Sequence, residues 1–167
     1  MTSLNLINRA RCAALLALSL SGMAHAATYT VTNSNDSGTG SLRWAITQAN
    51  ATSSNDQIVF NAGANGTITL ASPLPNVVEA GGDLTITGNG AANTIIDGGG
   101  AHSIFRLPNA LNPNSGVDFT VRRLTLRNGY ADQEQGGAIY INRASSLTID
   151  EVEFVDNFST YDGGAIA

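Results

Sequence analysis

The segment at residues 119–126 reads FTVRRLTL, and it aligns with the segment LTIDEVEF at residues 147–154 with a constant offset of 28. A Gly-Gly-Ala-Ile motif at residues 136–139 recurs at residues 163–166, an offset of 27. Short apolar strands that repeat with this period, joined by turns and without a helix, are typical of the coils of a parallel β-helix. Leucine-rich repeats share the period, but their ladder of Leu and Asn is absent here.

Alternation within the repeated strands predicts which side chains fill the interior. Successive side chains of a β-strand point to opposite faces. We therefore expect a column of apolar residues inside the solenoid: Val121, Leu124, Leu126, Ile149, Val152 and Phe154. Thr125 and Glu153 lie between these positions, and we expect both to face water. Because each coil buries its apolar face only against its neighbours, the coils must fold cooperatively.

Upstream of the repeats, one segment has the period of a helix. From Ser41 to Asn50 the apolar residues are spaced as in an amphipathic α-helix: Leu42, Ala45, Ile46 and Ala49. Short strands surround it at residues 29–32, 58–60, 67–70, 84–87, 94–96 and 104–107. Proteins normally cover an exposed sheet edge. We therefore predict an N-terminal cap at residues 27–66, followed by β-helix coils at residues 67–167.

The coils stop at Ala167, inside a strand that should continue. This indicates the first part of a longer solenoid, truncated at its C-terminal end and holding about three coils. We expect its last strand to be an unprotected edge, which favours edge-to-edge association.

The stretch at residues 1–26 has the three parts of a secretory signal peptide. A weakly basic start ends at Arg11, an apolar run covers residues 12–20, and Ala-His-Ala precedes Ala27. The apolar run is shorter than the roughly 20 residues of a membrane-spanning helix. We therefore predict a leader at residues 1–26, no transmembrane segment, and export to the extracellular space or the outer-membrane surface of the cell.

Composition excludes several classes of function. The chain has 167 residues, 8 of them basic and 13 acidic, and all 8 basic residues are Arg. Removal of residues 1–26 would leave six Arg against 13 acidic residues, a net charge of −7, and no Cys. Such a chain offers no polybasic patch, so we predict no nucleic-acid partner. Hydrophobic residues make up 43% and glycine contributes 18 residues, which disfavours disorder and indicates a turn-rich β protein.

Two motifs give the chain a resemblance to known families. The first resembles the Cys-Ser-Leu-Arg-Glu-Ala cap signature of secreted bacterial β-helix proteins, with Gly40 at the Cys position and Trp44 at the Glu position. Its matching residues, with the Ile that follows them, are Ser41, Leu42, Arg43, Ala45 and Ile46.

The second motif resembles the repeats of polymorphic outer membrane proteins, which pair Phe-x-x-Asn with Gly-Gly-Ala-Ile. Phe154 and Asn157 supply the first part. The second part occurs twice: Gly136, Gly137, Ala138 and Ile139, then Gly163, Gly164, Ala165 and Ile166. The resemblance implies an all-β, right-handed, pectate-lyase-like solenoid in a family of mostly adhesin-like proteins.

Enzymes that cleave or epimerise polysaccharides share this architecture, so the acidic residues are the candidates for catalysis. Hydrolysis needs two carboxyl groups across one bond, and the densest acidic stretch is residues 150–153. The 28-residue offset places Asp150 beside Arg122 and Glu151 beside Arg123, which explains these charges as pairs between coils.

Lyase chemistry would need several Asp around Ca²⁺ and an Arg base. The nearest set is Asp97 and Asp118 with Arg106 or Arg122, but it lacks clear ligand spacing. We therefore predict no catalytic, cofactor or metal site. The sequence favours a non-enzymatic exported surface or adhesin-like protein, a binding or display scaffold with a cell-surface or polysaccharide partner. The alternative is a carbohydrate-active enzyme of the same fold, a lyase, hydrolase or epimerase.

Overall fold

The computed structural model describes residues 25–78, 82–107, 116–132, 135–141 and 145–167. Its strands are β1 (Thr28–Val31), β2 (Asp56–Phe60), β3 (Gly66–Thr69), β4 (Leu84–Thr87), β5 (Thr94–Asp97), β6 (Phe105–Leu107), β7 (Asp118–Arg127), β8 (Tyr130–Ala131), β9 (Ile139–Ile141), β10 (Ser146–Val155) and β11 (Phe158–Ser159). Within these residues the structure has one α-helix, α1 (Leu42–Ala49), and a short 3₁₀ turn at Ala62–Ala64. Residues 1–24 of the predicted leader lie outside the described residues.

Most of the strands stack in parallel in three columns, and β8 pairs in parallel with β11 in a separate two-stranded sheet. In the first column, β1, β2, β4 and the first halves of β7 and β10 pair in that order. In the second column, β3 and β5 are followed by the second halves of β7 and β10. The third column contains β6 and β9, and a bridge joins Ile139 to Ile166. The protein is therefore an all-β parallel solenoid, as the repeats predict.

The register of the first column gives the length of each turn. The residue number rises by 29, 28, 35 and then 28 across the pairs Thr28–Gln57, Asp56–Leu84, Leu84–Phe119 and Phe119–Leu147. The last pair confirms the 28-residue offset of the two quoted segments, and the Ile139–Ile166 bridge confirms the 27-residue offset. The longest turn contains residues 108–115, which lie outside the described part of the chain.

The predicted interior column forms the core of the solenoid. Three of its members, on β7, are completely buried: Val121, Leu124 and Leu126. Their partners on β10 continue the column in register: Ile149, Val152 and Phe154. Val152 and Phe154 are partly buried against the core, whereas Ile149 is 38% exposed. The difference from β7 arises because no described strand covers the other side of β10.

Thr125 is an exception to the predicted alternation. We expected it to face water, but only 6% of the residue is exposed. Its hydroxyl group donates a hydrogen bond to the carbonyl oxygen of Ala91 at 2.9 Å, in the turn between β4 and β5. The prediction for Thr125 is therefore wrong, because a turn from the preceding coil contacts it. Glu153, which pairs with Thr125 on β10, is exposed as predicted.

Helix α1 confirms the amphipathic stripe. Ser41 is its N-cap and Asn50 its C-cap, so the predicted boundaries hold to within one residue at each end. The four predicted apolar residues are buried: Leu42, Ala45, Ile46 and Ala49. They belong to the same core as Val31 of β1 and Ile58 of β2, and α1 contacts both strands. Among the described residues, no helix is long and apolar enough to cross a membrane.

Candidate binding face

The cap-signature residues hold α1 at the first turn of the solenoid. The hydroxyl oxygen of Ser41 accepts a hydrogen bond from the backbone nitrogen of Trp44 at 3.2 Å, and the hydroxyl group donates to the carbonyl oxygen of Gly38 at 2.7 Å. The Arg43 guanidinium lies 2.6 Å from Oδ1 of Asp36 and donates to the carbonyl oxygens of residues 72 and 73. Leu42, Ala45 and Ile46 are completely buried. Hydrogen bonds, an ion pair and burial within the fold therefore explain why these residues occupy the motif.

The Gly-Gly-Ala-Ile repeats form the tight corner before the third column. Gly136 and Gly163 both have the left-handed backbone conformation, with φ of 74° and 69°, which glycine adopts without strain. The next glycines approach closely, since the backbone nitrogen of Gly137 donates to the carbonyl oxygen of Gly164 at 3.0 Å. In the earlier repeat Ala138 and Ile139 are completely buried, and in the later one Ala165 and Ile166 are partly buried.

Phe154 and Asn157 join two successive coils. Phe154 pairs with Leu126 in the apolar column. The Asn157 side chain accepts a hydrogen bond from the backbone nitrogen of Gly129 at 2.8 Å and donates to the carbonyl oxygen of Leu126 at 2.9 Å. One amide side chain thus satisfies two backbone groups of the previous coil, which gives this motif residue a structural role.

Asp97 is the most enclosed acidic residue among the candidates for catalysis. It is 7% exposed, and its carboxylate accepts hydrogen bonds from the Arg127 guanidinium at 2.7 Å, the Asn128 amide at 3.0 Å and the Gly99 backbone nitrogen at 2.9 Å. Burial acts to raise the pKa of Asp97, but the hydrogen bonds from Gly99, Asn128 and Arg127, with the charge of Arg127, bring it below its ordinary value. Its oxygens are therefore already engaged in holding β5 to β7.

The other members of the candidate lyase set lie apart from Asp97. Asp118 begins β7, at the opposite end from the residue that pairs with Asp97, and accepts a hydrogen bond from the Ser146 hydroxyl group. Arg106 lies in the third column, with its guanidinium 5.5 Å from the centre of the Tyr140 ring. Arg122 is on β7, where its buried Nε has no hydrogen-bond partner among the described residues. The described part of the chain contains no group of three His, Cys, Asp or Glu that could hold a metal ion.

Two of the three acidic residues of β10 lie beside arginines, as the 28-residue offset predicts. Asp150 pairs in register with Arg122. Glu151 approaches Arg123, with Oε2 3.8 Å from Nε, and the two side chains are 72% and 52% exposed. An ion pair this exposed contributes at most about 1 kcal/mol. Glu151 and Arg123 therefore form an exposed contact between neighbouring coils, and Asp150 lies beside Arg122 in register.

A row of threonines on the outer face of the first column is a feature that the sequence analysis missed. Its members pair in register across five strands: Thr28, Gln57, Thr85, Thr120 and Thr148. Neighbouring strands are about 4.8 Å apart, so the side chains form a regular row. Within the described residues, none of the four threonine hydroxyl groups has a hydrogen-bond partner. We call these five residues the threonine row.

Two residues further along the same strands, a second set of side chains faces outward. Its members are Thr30, Val59, Thr87, Arg122 and Asp150. The sequence carries a signal for the threonine row, because Thr85, Thr120 and Thr148 each stand between two apolar residues of a strand. The 35-residue turn between Leu84 and Phe119 breaks the constant offset that would have aligned all three.

A scan of protein-family models, a search of curated proteins and a search of solved structures each find no match. The similarity to polymorphic outer membrane proteins and to the cap signature therefore rests on the motifs in the sequence. Within the described residues, the solenoid carries the outward-facing threonine row on its first column.

Proposed function

We propose that this chain is an exported, non-enzymatic surface protein of the polymorphic outer membrane protein type, with a cap of the Cys-Ser-Leu-Arg-Glu-Ala kind. It binds a neutral cell-surface polysaccharide through the threonine row. The single observation that supports this function is a row of four outward-facing threonine hydroxyl groups, unpartnered within the described residues, that pair in register with Gln57 across five strands.

The chemistry of the row fits a neutral polymer of hydroxyl groups. Each threonine hydroxyl can both donate and accept a hydrogen bond, as can each sugar hydroxyl. The row contains no charged residue, and the proposed exported chain would have a net charge of −7, which disfavours an anionic polymer. Strand pairing fixes the spacing of the row before a ligand arrives, so little backbone entropy is lost on binding.

The contacts of the acidic residues support a binding function over catalysis. Asp97 accepts hydrogen bonds from three groups of its own chain, and Asp118 accepts one from Ser146. The two candidate carboxylates belong to opposite ends of β7, since Asp118 begins the strand and Asp97 pairs with Arg127 at its end, whereas hydrolysis of a glycosidic bond needs two carboxyl groups across one bond. The scaffold therefore displays a surface for binding.

Co-sedimentation with insoluble cellulose, a neutral polysaccharide, tests the proposal. The variant T85V/T120V removes two hydroxyl groups from the centre of the row and keeps the shape and strand propensity of the side chains. Each lost hydrogen bond is worth about 1 kcal/mol, so we expect the bound fraction to fall as if the affinity had dropped about ten-fold or more. The control is T69V, which changes an exposed threonine on β3 in the second column.

Two results would overturn the proposal. One is equal retention of the wild type and T85V/T120V, or no retention of either. The other is the appearance of unsaturated or reducing ends after incubation with pectate, polygalacturonate or alginate, if that product is lost in D97N or D118N. The second result would establish the alternative function, a carbohydrate-active enzyme.

A further inference from the structure

The backbone nitrogen of Ala27 donates a hydrogen bond to Oδ1 of Asp56 at 2.8 Å. Ala27 is the residue that follows the predicted leader. We infer that removal of the leader places the new α-ammonium group of Ala27 in an ion pair with the buried carboxylate of Asp56. The inference rests on the proposed export and adds a processing-dependent contact that fixes the start of the mature chain.

Asp56 is a buried carboxylate that lacks a cationic partner among the described residues. It begins β2 and is 2% exposed. Its hydrogen-bond donors in this part of the chain are all neutral: the Ala27 backbone nitrogen at 2.8 Å, the Thr52 hydroxyl group at 2.6 Å and the Ser54 hydroxyl group at 2.9 Å. Acidic residues are almost never fully buried unless they are paired. This site therefore has a place for a positive charge.

Cleavage of the leader would supply that charge at an atom already in contact. Hydrolysis of the Ala26–Ala27 peptide bond consumes one water molecule, leaves a carboxylate on Ala26 and frees the amine of Ala27, which takes up a proton. His25 and Ala26 are exposed, whereas Ala27 is partly buried. The scissile bond thus lies where the chain leaves the solenoid, and the atom beyond it is the donor to Asp56.

The strand that follows keeps the new terminus in position. The carbonyl oxygen of Ala27 accepts a hydrogen bond from the backbone nitrogen of Gln57 at 2.8 Å, which continues the pairing of β1 with β2. Ala27 is therefore fixed on both sides of its α-carbon, and cleavage changes its charge without requiring it to move. A charge-assisted hydrogen bond is roughly twice as strong as a neutral one.

The absence of lysine from the sequence allows a direct test. After cleavage, the Ala27 α-amine is the only primary amine in residues 27–167, the chain used in the test. The full-length chain is exported by a bacterial host, and the processed, folded protein is treated with an N-hydroxysuccinimide acetate. We expect the amine of wild type to be acetylated about ten-fold or more slowly than that of D56N, because the carboxylate holds the ammonium form. The control D83N changes a carboxylate that also accepts a backbone hydrogen bond, from Asp118, and should react like wild type.

A second variant keeps Asp56 and moves the amine. Insertion of one glycine between Ala26 and Ala27 displaces the new terminus by up to about 3.5 Å along the chain. We expect this variant to fold and to lose the protection of its amine. Equal acetylation rates for wild type, the insertion variant and D56N, each with intact folding, would overturn the inference.

Intact-mass measurement separates this inference from the proposed export. A processed protein that begins at Ala27 and has a slow amine supports both. A protein that begins at Ala27 but has a fully reactive amine overturns the ion pair and leaves export standing. A protein that keeps residues 1–26 overturns the predicted cleavage and, with it, the ion pair. The cellulose assay tests the threonine row and does not depend on this outcome.

Discussion

At the scale of single residues, Asp97 links two coils through a buried carboxylate. Its pKa is lowered, because the hydrogen bonds from Gly99, Asn128 and Arg127 outweigh the effect of burial. A carboxyl group with a lowered pKa in the folded state contributes stability above its unfolded pKa of about 3.9, and the contribution is lost as the pH falls below that value. We expect D97N to lower the free energy of unfolding by about 2 kcal/mol at neutral pH.

The pH dependence distinguishes this role from simple packing. The difference between wild type and D97N, measured by urea unfolding, should shrink as the pH is lowered below about 4, because only the wild type loses the carboxylate. D118N is the matched control, since Asp118 is an exposed carboxylate at the start of β7. A constant difference between wild type and D97N from neutral pH to about pH 3 would contradict the assignment.

At the scale of elements, the corner before β9 depends on a close approach of two backbones. A Cβ atom at Gly137 would collide with the carbonyl oxygen of Gly164 and would lie 2.7 Å from the backbone nitrogen of Phe158. We expect G137A to lower the free energy of unfolding by about 1–3 kcal/mol, because backbone must shift to admit the methyl group. Urea denaturation measures the change, with an unaltered slope as evidence that the transition is the same.

The same motif provides the control for this prediction. Gly164 occupies the equivalent place in the next coil, and a Cβ atom there would lie 3.5 Å from the carbonyl oxygen of Asn157, an ordinary contact. G164A should therefore change the free energy of unfolding by no more than about 0.5 kcal/mol. Equal losses in G137A and G164A would show that the residue type, and not the close approach, determines the stability of the corner.

The elements also show what local sequence can predict. Helix α1 follows from four apolar residues within one short segment, and the pairs of β10 with β7 follow from a regular 28-residue turn. A constant offset of 28 would place Asp97 beside Thr125, but the register pairs it with Arg127. The site around Asp97 and the burial of Thr125 therefore depend on the geometry of longer turns, which the repeats do not encode.

An irregular turn length also prevented prediction of the threonine row from the sequence. Thr120 and Thr148 follow the 28-residue offset, whereas Thr85 and Thr120 are separated by the longer, 35-residue turn. Threonine in strands is also common for its β-propensity alone. Its significance as a row is visible only when the five strands are seen in register.

At the scale of the whole molecule, the apolar interior is exposed beyond β10. Within the described residues, β10 pairs with β7 and with no other strand. On the inner face of β10, Ile149 is 38% exposed, and three large apolar residues elsewhere on this last coil are also exposed: Val155 at 40%, Phe158 at 56% and Tyr161 at 62%. A ten-residue strand with an open edge and an apolar inner face favours pairing with another chain.

We therefore expect the chain that ends at Ala167 to associate through the edge of β10, with an average mass in sedimentation velocity that rises with concentration. The variant I149K places a charge on the inner face of this edge strand, which is how natural proteins prevent edge pairing. Its long side chain can reach water from a position that is already 38% exposed, so the fold should persist while association is lost.

The control T148K adds the same charge on the outer face of the same strand and should associate like wild type. A wild-type chain that sediments as a monomer at every concentration would contradict the prediction, and equal association of I149K and T148K would place the contact elsewhere on the molecule.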